Sequence, residues 1–155
     1  MMTTLRFLRK EDAGPLAEKW AGRNALPAYS LPDEREEMER LIEAWNGGTC
    51  GGKRFDMLLI EEDGAAAGLL SLYGQEEGVS LGISVHPSMQ RRGIAARAVK
   101  LAADYARKAG WTRMISQCRA DNCASIALHR KCGFEETGRG RNRKGNDVIF
   151  WQIDL

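Results

Sequence analysis

Residues 90–96, Gln-Arg-Arg-Gly-Ile-Ala-Ala, set two cations beside a glycine where an alternating pattern gives way to a helical one. The first amides of a helix lack intrahelical acceptors and together carry about half a positive charge, so this end of a helix attracts phosphate. Gly93 removes the Cβ that would hold an anion away from the main chain, and the small Ala95 and Ala96 nearly do the same. Arg91 and Arg92 add charge, with Gln90 opening the turn and Ile94 beginning the apolar stripe. The chemistry this predicts, beyond a solvated helix cap, is the holding of a di-anionic group at a strand's carboxyl end, where open α/β sheets take ligands.

The elements that must position this turn are legible on both sides. Val79, Leu81, Ile83 and Val85 alternate with Ser80, Gly82 and Ser84, which predicts a strand buried on one face. Ile94, Ala98, Leu101, Ala102 and Tyr105 then form a helical stripe that Gly110 ends. Upstream, a strand is expected over 3–9, a helix over 13–21 capped by Asp12, a loop over 22–30, and a helix over about 32–46. In the latter, Met38, Leu41, Ile42 and Trp45 recur at helical spacing, Ser30 and Asp33 have capping-box spacing, and Gly47 is the stop. Residues 54–73 read as two strands joined at Asp63-Gly64, a strong hairpin signal. Downstream lie a strand over 111–118, a helix over 123–132 capped by Asp121 or Asn122, and strands near 134–137 and 147–155. The order β-α-α-β-β-β-α-β-α-β-β predicts a mixed α/β sheet in a single domain, 1–155.

Composition narrows the partners. With 23 basic and 21 acidic residues the formal net charge is +2, too balanced to imply a nucleic acid or a membrane. The start, MMTTLRFLRKED, is too charged for a signal peptide, and no apolar run approaches the roughly 18 residues of a membrane span, so a cytoplasmic protein is expected. Cys50, Cys118, Cys123 and Cys132 form no CxxC pair and are read as reduced thiols; with only His86 and His129 beside them, no metal site is expected. Residues 47–54, GGTCGGKR, nearly spell a P-loop, but Arg54 stands in place of the Ser or Thr and the segment follows a helix instead of a strand. The basic tract 138–146 reads as a solvated hairpin loop, and Trp111, Phe134, Phe150 and Trp151 as core.

The run V-x-P followed by Q-x-x-G-x-A at 85–95 resembles the signature of the GNAT acetyltransferases, and DNCASIALHRKCGF resembles their second motif, N-x-x-S/A and an amphipathic helix closing on Gly-Phe. The motif style is similar to the branch that acetylates ribosomal-protein N-terminal alanines. The resemblance implies a single GNAT-like domain with acetyl-CoA in a gap between the strands near 79–85 and 111–118, opened at a bulge for which Gly82 is suited. It implies main-chain contacts from Ile83 and Val85 to the pantetheine arm, a pyrophosphate held by the amides from Arg91 to Ala96, and Asn122 and Ser125 beside the arm.

For the chemistry, the same resemblance implies the Val85 amide as oxyanion donor. His129 stands where many members carry a tyrosine acid, and Ser125 competes for that role. Ser80 stands where many members carry a glutamate base, leaving a water relay through Ser80, or Glu76, Glu77 or Asp33. Asn24, Tyr29 and Asp33 would line the acceptor pocket. The function implied is acetyl-CoA-dependent transfer to a primary amine of a small molecule or a peptide N-terminus, by a monomer or homodimer. Two other readings are a non-catalytic acyl-CoA-binding module and an interaction protein using the basic loop 139–144.

Overall fold

A computed structural model of the chain describes residues 2–21, 26 and 29–155. β1 (Thr3–Phe7) leads through a short turn into α1 (Ala13–Trp20) and then α2 (Arg35–Asn46). β2 (Thr49–Cys50), β3 (Lys53–Glu62), β4 (Ala65–Gly74) and β5 (Val79–Val85) follow as a meander. α3 (Ile94–Lys108), β6 (Arg113–Arg119), α4 (Cys123–Lys131), β7 (Glu135–Arg141) and β8 (Asp147–Asp154) complete the chain. The sheet order is β1-β3-β4-β5-β6-β8-β7, with β2 added beside β3. Among the described residues only β5 and β6 run parallel, joined by the α3 crossover.

β3 reads Met57-Leu58-Leu59-Ile60 without alternation because both of its faces are covered. Leu58 and Ile60 join Leu70, Leu72, Val79, Leu81 and Val85 beneath the α3 residues Ile94, Ala98, Val99 and Ala102. Met57, Leu59 and Leu69 lie on the opposite face under Leu16 and Trp20 of α1 and Met38 and Ile42 of α2. Among the described residues no helix is long and apolar enough to cross a membrane.

Asp63 and Gly64, with φ of 51° and 83°, form the predicted β3–β4 hairpin turn. Other expectations need correction. Asp12 does not cap α1 with its side chain; its carboxylate instead takes both Arg6 Nη atoms at 2.8 Å and the Arg9 amide at 2.7 Å. The Ser30–Asp33 capping box does not form, and α2 begins at Arg35, because Leu31 is buried and the following Pro32 keeps it out of helical geometry. The GGTCGGKR segment makes the β2–β3 hairpin, whose Gly51 and Gly52 both have positive φ, 59° and 79°. The strand expected at 134–137 runs to Arg141, so the basic tract is half strand, and two of its arginines are paired, Arg139 with Glu136 and Arg141 with Asp147. Phe150 is 39% exposed and packs over Gly140 instead of entering the core.

Candidate active site

β4 holds β5 in unbroken register from Gly68↔Val85 to Gly74↔Val79, and β8 holds β6 from Arg113↔Asp154 to Arg119↔Val148. Between these two halves, β5 and β6 pair only at Val79↔Met114 and Ser80↔Ile115. Past Ser80 the sheet is split. The His86 amide donates to the Ala67 carbonyl at 2.8 Å, which makes the even positions of β5 those that bond β4. Antiparallel alternation therefore turns the N–H and C=O groups of Ile83 and Val85 toward the split. The Val85 carbonyl is met by Gln90 Nε2 at 3.0 Å.

The split opens into a cleft of about 680 Å³, a size typical of small-ligand sites. Its walls include Ile83, Val85, Gln90, Arg91, Gly93, Ile94, Ala95, Ala96, Asn122 and Ser125, all singled out in the sequence. Ser84, Met89, Ala124, Ala127, Leu128 and Lys131 also line it and were not anticipated. Arg92 does not line the cleft; it is exposed, with Nη1 3.7 Å from Met89 Sδ. At the mouth, Arg91 has φ 63° and Gly93, the N-cap of α3, has φ 76°. No side chain caps the helix, and its first internal bond is Arg97 N–H to Gly93 C=O at 3.2 Å. Left-handed residues in such a turn gather main-chain N–H groups into a concavity for anions.

The other wall is α4. Asn122 Oδ1 accepts from the Ser125 amide at 3.0 Å, which leaves its Nδ2 hydrogens available. Ser125 Oγ lies 3.5 Å from His129 Nδ1. The imidazole is 5% exposed, stacked on Trp151 with centroids 5.1 Å apart, and absent from the cleft wall. Its Nδ1 donates to the Ser125 carbonyl at 2.7 Å and its Nε2 accepts from Ser116 Oγ at 2.9 Å. Burial holds its pKa below the ordinary 6.5, against the opposing pull of the Ser125 carbonyl, so the ring is neutral with both nitrogens engaged.

Ser80, Gly82 and Ser84 alternate with the buried residues of β5 and so face the α1–α2 side. Gly82 sits in an unbroken register, so the expected bulge is not present. Its lack of a side chain serves a close approach: a Cβ there would stand 2.6 Å from Ser71 Oγ and 3.1 Å from Tyr29 Oη. Tyr29 donates to Ser71 at 2.9 Å, and burial pushes its phenol up to about 12, so it remains a neutral donor. Ser71 was missed; its only signal was a polar residue inside the apolar strand LLSLY. Asp33, Glu76 and Glu77 are exposed and do not line the cleft, and Asn24 lies outside the described residues.

A parallel strand pair that parts at mid-length, with uncapped helix amides at its mouth, is the arrangement that the resemblance at residues 85–95 implies for an acetyltransferase. The comparisons agree: the acetyltransferase (GNAT) domain family matches residues 3–135. The L-amino acid N-acyltransferase MnaT of Escherichia coli is 27% identical over 98% of this chain and 94% of its own length. The ribosomal protein bS18 alanine N-acetyltransferase of Salmonella typhimurium is 30% identical, over 76% of this chain and 79% of its own. A putative acetyltransferase from Salmonella typhimurium, yncA, solved with its cofactor acetyl-CoA, superposes with a TM-score of 0.71 at 23% identity, over 99% and 94% of the two chains. The chain belongs to the GNAT acetyltransferase family. Its activity is N-acetylation, with acetyl-CoA as the co-substrate.

Proposed function

We propose that the acceptor is the α-amine of an amino-acid unit, free or at a peptide N-terminus, and that residues 1–155 act as one catalytic domain. The observation that carries the reading is the split between β5 and β6 below the open amides of α3. An α-amine fits what surrounds it. The charged residues on the cleft wall are Arg91 and Lys131, both cations, and the groups at Gly82 on the opposite face are hydroxyls. A peptide α-amine, with pKa near 7.7–8.0, is roughly 10–15% neutral at pH 7, against about 0.1% for an alkylamine with pKa near 10. It can attack with water as the proton acceptor, relayed by hydroxyls such as Ser80 or Ser71. MnaT and the bS18 alanine acetyltransferase are both named for acceptors of this kind.

In the reaction, the amine nitrogen bonds to the thioester carbonyl carbon, and the oxygen takes up negative charge facing the Val85 amide. The carbon–sulfur bond then breaks, the departing thiolate takes a proton, and the amine proton passes to water. Ser125 is the group on the cleft wall best placed to supply the thiolate's proton, since both nitrogens of His129 are already engaged. Asn122 offers its Nδ2 hydrogens to the pantetheine arm while its Oδ1 holds α4. The four cysteines are free, which suits a reducing compartment such as the cytoplasm.

The test is release of free CoA thiol with matched peptides, free amino acids and polyamines. We expect peptides or amino acids to exceed polyamines by about tenfold or more in kcat/KM. Preference for polyamines, or no turnover of any α-amine despite tight acetyl-CoA binding, overturns the acceptor assignment.

A further inference from the structure

Arg97, in the first turn of α3, closes the helix onto Gly93 with its main chain and lies against the same glycine with its side chain. A Cβ built on Gly93 would stand 3.0 Å from Arg97 Nη1. The rest of the guanidinium is engaged elsewhere. Nη2 donates to Glu62 Oε2 at 2.7 Å, and Nε donates to Thr3 Oγ1 at 2.8 Å. The Thr3 hydroxyl in turn donates to Glu62 Oε1 at 2.6 Å. Glu62, at the end of β3, is 5% exposed, and Thr3 opens β1 at the sheet edge. Three side chains thus form a closed ring that ties the mouth of the cleft to the far side of the sheet.

An ion pair with a buried carboxylate and a partly exposed guanidinium contributes little net stability, because desolvation and solvent screening offset its attraction. What this one fixes is position. Arg91 is a non-glycine residue at φ 63°, a strained conformation that persists only where the surroundings over-determine it. The guanidinium backs the loop at Gly93, and Glu62 and Thr3 fix the guanidinium. We propose that Glu62 and Thr3, acting through Arg97, are positioning residues of the coenzyme site: they hold loop 91–93 in the left-handed arrangement that aims its N–H groups at phosphate. The inference rests on the reading of that loop as the phosphate cradle.

The decisive protein is the double variant Glu62→Met/Arg97→Met, which removes both charges together and leaves no buried charge unpaired. Thr3→Val, which breaks the ring at its smallest member, serves if the double variant does not fold, and Thr3→Ser is the conservative control. We expect the calorimetric Kd for CoA and the KM for acetyl-CoA to rise about tenfold, the order found for outer partners of a binding shell. kcat at saturating acetyl-CoA and KM for the acceptor should stay within about twofold, and Thr3→Ser should restore the native affinity. A role in stability alone would lower Tm without this split between KM and kcat. Native affinity in the folded double variant, or in Thr3→Val, overturns the proposal. Gly93→Asp separates the two readings: lost binding there with native binding in the ring variants rejects the positioning role alone, whereas native binding in all of them rejects the cradle itself.

Discussion

α3 and α4 both direct their N-termini at the cleft, but Gly93 leaves the first amides of α3 open whereas Asn122 closes α4 with its own side chain at 3.0 Å from the Ser125 amide. The flanking charges differ in the same sense. Arg91 stands at the mouth of α3, while Asp121 precedes α4 and is paired with Arg119 at 2.9 Å. On the proposed reading, one helix start suits an anion, and the other the uncharged amides of a thioester arm. Positive potential concentrated in one turn would then account for how a protein with a net charge of only +2 binds a multiply charged coenzyme.

Imposing the α4 design on α3 should have the largest effect. Gly93→Asp puts a carboxylate where the phosphates belong, in a left-handed position unfavourable by about 1–2 kcal/mol for a residue with a Cβ. Adding about 1.5–3 kcal/mol for a displaced charge-assisted hydrogen bond, affinity for acetyl-CoA should fall by roughly a hundredfold or more. Calorimetry on folded protein reads this directly, and unchanged affinity would remove α3 as the anion site. At α4, by contrast, Ser125→Ala should leave the KM for acetyl-CoA near native and lower kcat by about tenfold, less than a full general-acid contribution because solvent can also protonate a thiolate. A native kcat would assign that proton to solvent and leave α4 a purely binding wall.

Both helix starts were legible in the sequence. Gly93, with small residues behind it and arginines ahead, points to an uncapped helix start, and Asn122 three residues before Ser125 points to a cap. What the sequence could not show was which hydrogen bonds the side chains would choose. His129 has the spacing of a site residue, yet the packing of Trp151 and Phe134 around its ring draws it into the core. Gly82 announced an irregular backbone, and its actual partners, Ser71 and Tyr29, lie 11 and 53 residues away in the chain, beyond any local pattern. The order of elements along the chain, apart from β2, and the hairpin at Asp63-Gly64 came through because they depend on short-range periodicity and turn chemistry. Arg97 falls outside the apolar stripe of α3, and its partners Glu62 and Thr3 are brought to it only by the sheet.

His129 gives α4 a pH dependence on the acid side of neutrality. Its folded pKa is depressed by burial, so the unfolded chain binds the proton more readily than the native one. Stability should thus be complete above about pH 6.5 and fall as the solution is acidified through that value, until the folded pKa is also passed. Urea titrations over about two pH units around that value, from about 7.5 to about 5.5, should show a decline that is smaller in His129→Gln. An equal decline in both proteins would place the sensitive group elsewhere.

Asn122→Ala should have the smallest effect, and it separates two functions of one side chain. Loss of the cap destabilises the fold by about 1 kcal/mol, or roughly 2–4 °C in Tm for a domain of this size. If Nδ2 also donates to the pantetheine arm, the KM for acetyl-CoA rises by a few-fold, about 0.5–1.5 kcal/mol for one neutral hydrogen bond. Asn122→Asp distinguishes the contributions, because a carboxylate keeps the acceptor for the Ser125 amide but has no hydrogens to donate. Native Tm with raised KM in Asn122→Asp assigns both roles to this residue. Native values of both would leave it a cap alone, and the uncharged arm would then be held by the main chain of Ile83 and Val85 without help from α4.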